Sequence, residues 1–168
     1  MSDVNLLSIK LLICDVDGVF TNGKYFVSSR GSVLKQFNTR DFYALEQIQK
    51  KGTDVLILTS NNDECIISQY NRLPKRAKEK LAIVINIENK LEYVNQVLKD
   101  MKLSYVDVAY IGDGLNDLEV MEKVIYRGCP ADAHEKIKAI SDYVSEYKGG
   151  DGCVADFVNT ILEMANGD

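Results

Sequence analysis

The chain has 168 residues, of which 46% are hydrophobic and 27% charged, and its formal net charge is −5. This length suits one domain with a single buried core, and the composition, with only two prolines, argues against a long disordered tail. Because the negative charge is spread along the chain, neither a nucleic acid nor an anionic membrane is expected as the main partner.

Short apolar runs alternate with helical patterns along the chain. The runs are rich in β-branched residues and apolar on both faces, which is typical of buried parallel strands. In chain order we predict strand 9–14, helix 41–52 ended by Gly52, strand 54–58, helix 62–73, strand 81–85, helix 89–103, strand 106–111, helix 115–124 and a weaker strand 123–128. This order predicts an α/β fold with a doubly wound, Rossmann-like, mostly parallel sheet flanked by helices.

Residues 23–38 interrupt the alternation. They predict two short strands, 24–28 and 32–37, around a turn at 29–32, which is a β-hairpin pattern. Since the sequence contains no linker or internal repeat, we expect one domain, 1–168, with this hairpin protruding from it.

The four cysteines, Cys14, Cys65, Cys129 and Cys153, are widely spaced and form no C-x-x-C pair. We therefore expect reduced, mostly buried thiols, with neither a zinc site nor a disulfide framework. Neither a signal peptide nor an apolar run approaching the roughly 18 residues of a membrane span is recognisable, so we expect no membrane partner and a cytoplasmic location.

Reactive side chains follow the ends of the predicted strands. Asp15 and Asp17 follow the first strand, Thr59 and Ser60 the second, and "GDGLND" (112–117) the fourth. Lys90 comes shortly after the third strand. Ligands of open α/β sheets bind beyond the carboxyl ends of the strands, so these side chains are expected to converge.

Crowded carboxylates raise one another's pKa or require a cation. An oxygen-rich site with open positions suits Mg²⁺, which binds through one or two carboxylates and the phosphate of a substrate. A lysine and a threonine hydroxyl would complete a cradle for that phosphate. The pattern therefore predicts phosphoryl transfer, with an aspartate nucleophile and a second aspartate as acid and base.

Four motifs carry a family resemblance. "DVDGVFT" (15–21), Thr59, Lys90 and "GDGLND" (112–117) resemble, in order, the motifs of the haloacid dehalogenase superfamily of phosphatases. Three longer phrases, "KQFNTRD" (35–41), "CPADA" (129–133) and "KGGDGCV" (148–154), are similar to one branch of it. That branch contains 3-deoxy-D-manno-octulosonate 8-phosphate phosphatase, nonulosonate 9-phosphate phosphatases and the C-terminal domain of acylneuraminate cytidylyltransferases.

The resemblance implies roles for individual residues. Asp15 resembles the nucleophile that forms an aspartyl-phosphate, and Asp17 resembles the general acid and base. It further implies Mg²⁺ ligands at Asp15, Asp113 and the backbone carbonyl of Asp17, with the ion supported from behind by Asn116 and Asp117. Phosphate binding would fall to Thr59, Ser60 and Lys90, and contacts to the rest of a phosphorylated sugar acid to Thr21, Asn38, Arg40 and Asn61.

The spacing of the motifs leaves no room for a lid domain. The hairpin and one helix fill the interval between Asp15 and Thr59, and one helix and one strand fill that between Thr59 and Lys90, whereas a folded lid needs on the order of 50 residues. We therefore expect a capless site. In the resembled branch four chains associate and the hairpin covers neighbouring sites, which implies a homotetramer here.

Three positions depart from the branch. Gly114 stands where a second aspartate is common, Ser60 and Asn61 replace a glycine and a charged residue, and Ala155 replaces an arginine. These changes put the substrate in question more than the reaction. Two structural interpretations stay open: Asp113 and Asp117 as helix caps, and Asn38 to Asp41 as a cap that leaves Arg40 free or bound to substrate. A non-catalytic tetramerisation module, as in the cytidylyltransferases, is the alternative function.

Overall fold

The computed structural model describes residues 9–62 and 64–166, so residues 1–8, 63 and 167–168 of the predicted domain lie outside the described residues. The elements in chain order are β1 (Leu11–Cys14), β2 (Phe26–Val27), β3 (Val33–Leu34), α1 (Thr39–Lys50), β4 (Asp54–Leu58), α2 (Glu64–Arg72), α3 (Lys75–Lys78), β5 (Leu81–Val84), α4 (Lys90–Met101), a 3₁₀ turn (Tyr105–Asp107), β6 (Val108–Ile111), α5 (Leu118–Met121), β7 (Tyr126–Cys129), α6 (Glu135–Ile140), β8 (Tyr143–Val144) and α7 (Cys153–Asn166).

A six-stranded sheet in the order β5-β4-β1-β6-β7-β8 forms the centre of the fold, and every strand pair in it is parallel. All residues of β1 and β6 are buried because helices cover both faces of the sheet. Side chains of α1, α2 and α7 pack on one face, and those of α4, α5 and α6 pack on the other. The predicted doubly wound α/β fold is confirmed.

Side-chain hydrogen bonds near β6 and α5 shorten two predicted elements. Ser104 and Asp107 form a reciprocal cap that holds residues 105–107 in a 3₁₀ turn, so β6 begins at Val108 rather than at 106. The predicted helix 115–124 is reduced to α5 because the carboxylate of Asp117 accepts hydrogen bonds from the backbone N–H groups of Asp113 and Gly114, which holds this stretch as a turn.

Three elements were not predicted from the sequence: α3, α7 and β8. Helix α6 follows "CPADA", with His134 as its N-cap. The weak strand predicted at 123–128 lies at 126–129 instead. Helix α1 runs from Thr39 with Asn38 as its N-cap, and Gly52, at φ +103°, follows its end as expected. None of the four cysteines, all of which lie among the described residues, is in a disulfide, and Cys14, Cys129 and Cys153 are buried. Among residues 9–62 and 64–166, no helix has the length and apolar character needed to cross a membrane.

The predicted hairpin is present, although its strands are short. β2 and β3 pair antiparallel over two residues each, and Gly31, at φ +82°, completes the turn between them. The apolar side chains of β2 and β3 face solvent, with Phe26 80% exposed, whereas Phe37 at the end of the hairpin packs against the core. Between β1 and α1 the chain forms no other regular element, so the site is capless as expected.

Asp41 ties α1 to α7 through a buried carboxylate. Its Oδ1 accepts a hydrogen bond of 2.8 Å from the backbone N–H of Ala155, and the residue is fully buried. Burial raises the pKa of Asp41 to about 6, from an ordinary value of 3.8. Because the folded state then binds this proton more tightly than the unfolded state, the contribution of Asp41 to stability falls as pH rises from 4 to above 6.

Asp41→Asn removes this dependence while keeping an oxygen that accepts the same hydrogen bond. We expect the free energy of unfolding of the variant, relative to wild type, to rise by about 2 kcal/mol between pH 4 and pH 8. Urea unfolding of both proteins at a series of pH values measures this difference. A difference that is constant over the range would show that Asp41 is not the titrating group.

Candidate active site

Four predicted site residues meet at the carboxyl edge of the sheet. Asp15 follows β1, Thr59 follows β4, Asp113 follows β6, and Lys90 is the first residue of α4. β1 lies between β4 and β6, so their carboxyl ends are adjacent. Lys90 reaches the same place because Asn89 starts α4 there, its side chain accepting a hydrogen bond from the backbone N–H of Glu92.

Lys90 joins two of the carboxylates in the interior. Its Nζ lies 2.6 Å from Oδ1 of Asp15 and 2.7 Å from Oδ1 of Asp117, and the Lys90 side chain is only 1% exposed. The hydroxyl of Tyr110, from β6, donates a 2.7 Å hydrogen bond to the same oxygen of Asp117. Both oxygens of Asp117 are therefore held in place, the other by the backbone of the loop after β6.

The site carries more negative than positive charge. Burial and the nearby Asp117 raise the pKa of Asp15 to about 8 and that of Asp113 to about 6. Burial lowers the pKa of Lys90, but its two carboxylate partners outweigh this and raise it, so Lys90 is an ammonium. One ammonium does not balance the charge of three carboxylates, so the site favours the binding of a further cation.

The carboxylates of Asp15, Asp113 and Asp117 are close enough together to bind that cation. One oxygen from each carboxylate lies within 4.8 Å of the others, which is close enough for all three to hold one metal ion. Gly18 makes the arrangement possible, since a Cβ there would lie 2.1 Å from Oδ2 of Asp113 and Gly18 has φ +87°. Hard carboxylate oxygens with open positions are the ligand set that Mg²⁺ prefers.

The side chain of Asp17 has partners of its own. Its Oδ1 accepts hydrogen bonds from Lys35 Nζ at 2.7 Å and from Thr21 Oγ1 at 3.2 Å. Its Oδ2 accepts a 2.7 Å hydrogen bond from Asn61 Nδ2. Partial burial raises the pKa of Asp17, but the hydrogen bonds from Lys35 and Asn61 outweigh it and hold the pKa below its ordinary value.

A cleft of about 930 Å³ opens beside Asp17. The hairpin forms one wall, including Tyr25 and Lys35, and α2 forms the other, including Arg72. This volume accommodates a small molecule whose reacting end lies at Asp17. The site thus combines buried carboxylates, a buried ammonium and a separate carboxylate facing a cleft, which is an arrangement suited to phosphoryl transfer.

Comparison with protein families decides the assignment. The family model described as haloacid dehalogenase-like hydrolase matches residues 63–158, more than half of the chain. The chain belongs to the haloacid dehalogenase-like hydrolases. A curated relative, the 3-deoxy-D-manno-octulosonate 8-phosphate phosphatase of Yersinia pestis, is 34% identical over 155 residues, covering 92% of this chain and 80% of its own. The predicted class, phosphoric monoester hydrolase, is confirmed.

Solved structures support the same assignment for this hydrolase. The crystal structure of the Yersinia pestis phosphatase matches with a TM-score of 0.86 at 31% identity, covering 99% of this chain and 89% of that one. The Moraxella catarrhalis enzyme, solved with magnesium, phosphate and a 3-deoxy-D-manno-octulosonate (KDO) molecule, matches with a TM-score of 0.87 at 27% identity, covering 99% and 94%. Magnesium is therefore the metal that the acidic cluster of this hydrolase suits.

The other predicted site residues differ in what surrounds them. Thr59 is buried, and its Oγ1 accepts a hydrogen bond from the backbone N–H of Asn61. Ser60 lies half-buried beside it. Asn38 caps α1, as one interpretation of the sequence proposed, and Arg40 is exposed on the first turn of α1. Their contacts with a substrate stay predictions.

The departures from the family pattern have local structural consequences. Asn116 is exposed, and a Cβ at Gly114 would lie 2.5 Å from its Oδ1, so the glycine leaves room for the Asn116 side chain. Ala155 sits on the first turn of α7, where its backbone binds Asp41. Asp117 lies at the N-cap position of α5 but makes no side-chain cap bond there, so the interpretation of Asp117 as a helix cap is wrong.

Sequence reasoning missed two residues of this site, Lys35 and Tyr110. Lys35 was hidden in a hairpin predicted to protrude, and Tyr110 in a strand that was taken as apolar core. For Lys35 the available signal was its place in the phrase "KQFNTRD". The glycine-rich loop 148–152 packs closely against the segment after β1, since a Cβ at Gly149 would lie 1.9 Å from the backbone oxygen of Gly18.

Proposed function

We propose that this hydrolase removes the phosphate from 3-deoxy-D-manno-octulosonate 8-phosphate in a Mg²⁺-dependent reaction. The observation that carries the proposal is the pair of aspartates after β1 with different surroundings: Asp15 in the buried acidic cluster and Asp17 facing the cleft. The substrate follows from the curated relatives, which are named for this reaction and align over 92% of the chain.

In the first step Asp15 acts as the nucleophile. A carboxylate oxygen of Asp15 forms a bond to phosphorus while the bond from phosphorus to the sugar oxygen breaks. Lys35 and Asn61 favour the carboxylate form of Asp17 in the free enzyme, so Asp17 takes up a proton from solvent as the ester binds. It gives this proton to the departing oxygen, which leaves as the sugar hydroxyl, and the phosphoryl group stays on Asp15 as an aspartyl-phosphate. The ammonium of Lys90, 2.6 Å from Asp15, stabilises the negative charge that gathers there.

In the second step water hydrolyses the aspartyl-phosphate. Asp17, now a carboxylate, takes a proton from water as the water oxygen bonds to phosphorus. The bond from phosphorus to Asp15 breaks, which releases inorganic phosphate and restores both side chains. Thr59 and Ser60 are proposed to donate hydrogen bonds to the phosphate oxygens, and Asn116 to support the metal ligands.

The metal would be held by Asp15, Asp113 and the backbone carbonyl of Asp17. Asp117 lies in the same cluster and already binds Lys90. When bound, Mg²⁺ neutralises the phosphate and Asp15 so that one anion approaches another. Asp117 would therefore be able to supply a metal ligand itself, in addition to the supporting role that the resemblance implies.

A substrate panel tests the proposal. Phosphate release with Mg²⁺ is measured for octulosonate 8-phosphate, for two nonulosonate 9-phosphates and for glucose 6-phosphate, which lacks a carboxylate. We expect kcat/KM for the octulosonate to exceed that for each other ester by at least about tenfold. Preference for a nonulosonate 9-phosphate would show that the substrate is a different sugar-acid phosphate. Absence of turnover on every phosphate ester, with folded protein, would support the non-catalytic module instead.

We further propose that the hairpin mediates self-association into a tetramer in the cytoplasm and covers a neighbouring site. The support is its exposed apolar surface, with Tyr25 60%, Phe26 80% and Leu34 67% exposed. A variant lacking residues 25–35 should lose both the tetramer and activity, as measured by sedimentation and phosphate release. A monomer with normal turnover would contradict this role.

A further inference from the structure

Lys35 is distinguished from the rest of its hairpin by its burial. Residues 23–34 and 36, which include both strands of the hairpin, are all exposed. The side chain of Lys35 is only 8% exposed. Ordering and burying a lysine side chain costs conformational entropy and desolvation, so a surface lysine ordinarily stays in water. Burial of this one requires a compensating partner.

That partner is Asp17. Lys35 Nζ lies 2.7 Å from Oδ1 of Asp17, in a charge-assisted hydrogen bond between residues 18 positions apart in the chain. Asn61 Nδ2 donates to the other oxygen of Asp17 at the same distance, 2.7 Å, and Thr21 Oγ1 donates to Oδ1 at 3.2 Å. Three donors thus fix the carboxylate, and Lys35 is the one that the hairpin supplies.

We infer that Lys35 is a positioning residue for Asp17, holding the acid–base carboxylate in the orientation that delivers a proton to the leaving oxygen. This inference rests on the proposed function, in which Asp17 protonates that oxygen. It gives the hairpin a role within its own subunit, separate from any role in assembly. Proton transfer is sensitive to the direction of the donor, so loss of the charged contact among these three impairs it.

The dependence on leaving group separates this role from a structural one. A good leaving group departs with little help from an acid, whereas a poor one needs the proton. Lys35→Met should therefore slow esters with poor leaving groups selectively. A lysine that only anchors the hairpin would affect all esters alike, because its loss would disturb binding or folding without regard to the departing oxygen.

The experiment measures kcat/KM for substituted phenyl phosphates with Mg²⁺, since this constant reports the steps up to release of the phenol. For Lys35→Met we expect a loss on the order of tenfold to a hundredfold with phenyl phosphate, and of less than about threefold with 4-nitrophenyl phosphate. Lys24→Met, which removes an exposed lysine of the same hairpin, is the matched control and should match wild type. Lys35→Arg should recover part of the loss.

Two further measurements complete the test. Adding Lys35→Met to Asp17→Asn should cause no additional loss with phenyl phosphate, because the group that Lys35 positions is already absent. Equal losses on both esters, or no loss on either, with folding confirmed by thermal unfolding, would overturn the inference. Wild-type protein that hydrolyses neither these esters nor octulosonate 8-phosphate would overturn the proposed function, and the inference with it.

Discussion

Asp15→Asn is expected to lower the rate of phosphate release from 4-nitrophenyl phosphate by at least about 10³-fold, because the amide oxygen is a poor nucleophile and no other group takes its place. The fold should persist, since asparagine has the same shape and its Oδ1 still accepts the hydrogen bond from Lys90. Steady-state phosphate release with Mg²⁺, alongside thermal unfolding, measures both quantities.

Asp54→Asn is the matched control for this variant. Asp54 begins β4 and pairs in register with Leu11, so it lies at the opposite end of the sheet from the site, where it contacts Lys80 at 3.3 Å. Its loss should leave turnover unchanged. EDTA should abolish turnover in wild type and control, and added Mg²⁺ should restore it. Retention of substantial activity by Asp15→Asn would exclude Asp15 as the nucleophile.

Lys90→Met is expected to have the largest effect on stability. The variant leaves Asp15 and Asp117 buried without their shared ammonium, and removal of one partner from a buried ion pair costs about 3–5 kcal/mol. Mg²⁺ should restore part of the lost stability. In the variant the Lys90 ammonium no longer balances the three carboxylates of the cluster, and a bound Mg²⁺ ion does so instead. Activity should stay low even with Mg²⁺, since the charge that stabilises the reacting group is missing.

Thermal unfolding with and without Mg²⁺ measures this effect. Lys10→Met is the matched control: it removes a lysine that is 61% exposed and paired with Asp107 at 2.8 Å, and such surface pairs contribute less than about 1 kcal/mol. We expect Mg²⁺ to raise the melting temperature of Lys90→Met more than that of wild type or control. An equal rise in all three proteins would contradict a role for Lys90 in balancing the charge of the metal site.

The order of strands and helices was predictable because buried parallel strands carry continuous apolar runs, which the sequence displays directly. β8 and α3 were missed because they are two and four residues long, which is too short to display a period. α7 was missed although its buried Cys153, Phe157 and Ile161 recur at helical spacing along 14 residues. The start of β6 and the length of α5 depended on single side chains, Asp107 and Asp117, whose hydrogen bonds to nearby backbone outweigh the periodic pattern.

The sequence by itself determined which chemistry the chain carries. Asp15, Asp17, Lys90 and Asp113 come shortly after predicted strands, and parallel strands bring their carboxyl ends to one edge of the sheet. Only the tertiary structure decided how these groups are paired. It joined Lys90 to both Asp15 and Asp117, and it brought Lys35 from the hairpin to Asp17. Such contacts join residues far apart in the chain, so spacing and periodicity, which describe near neighbours, carry no record of them.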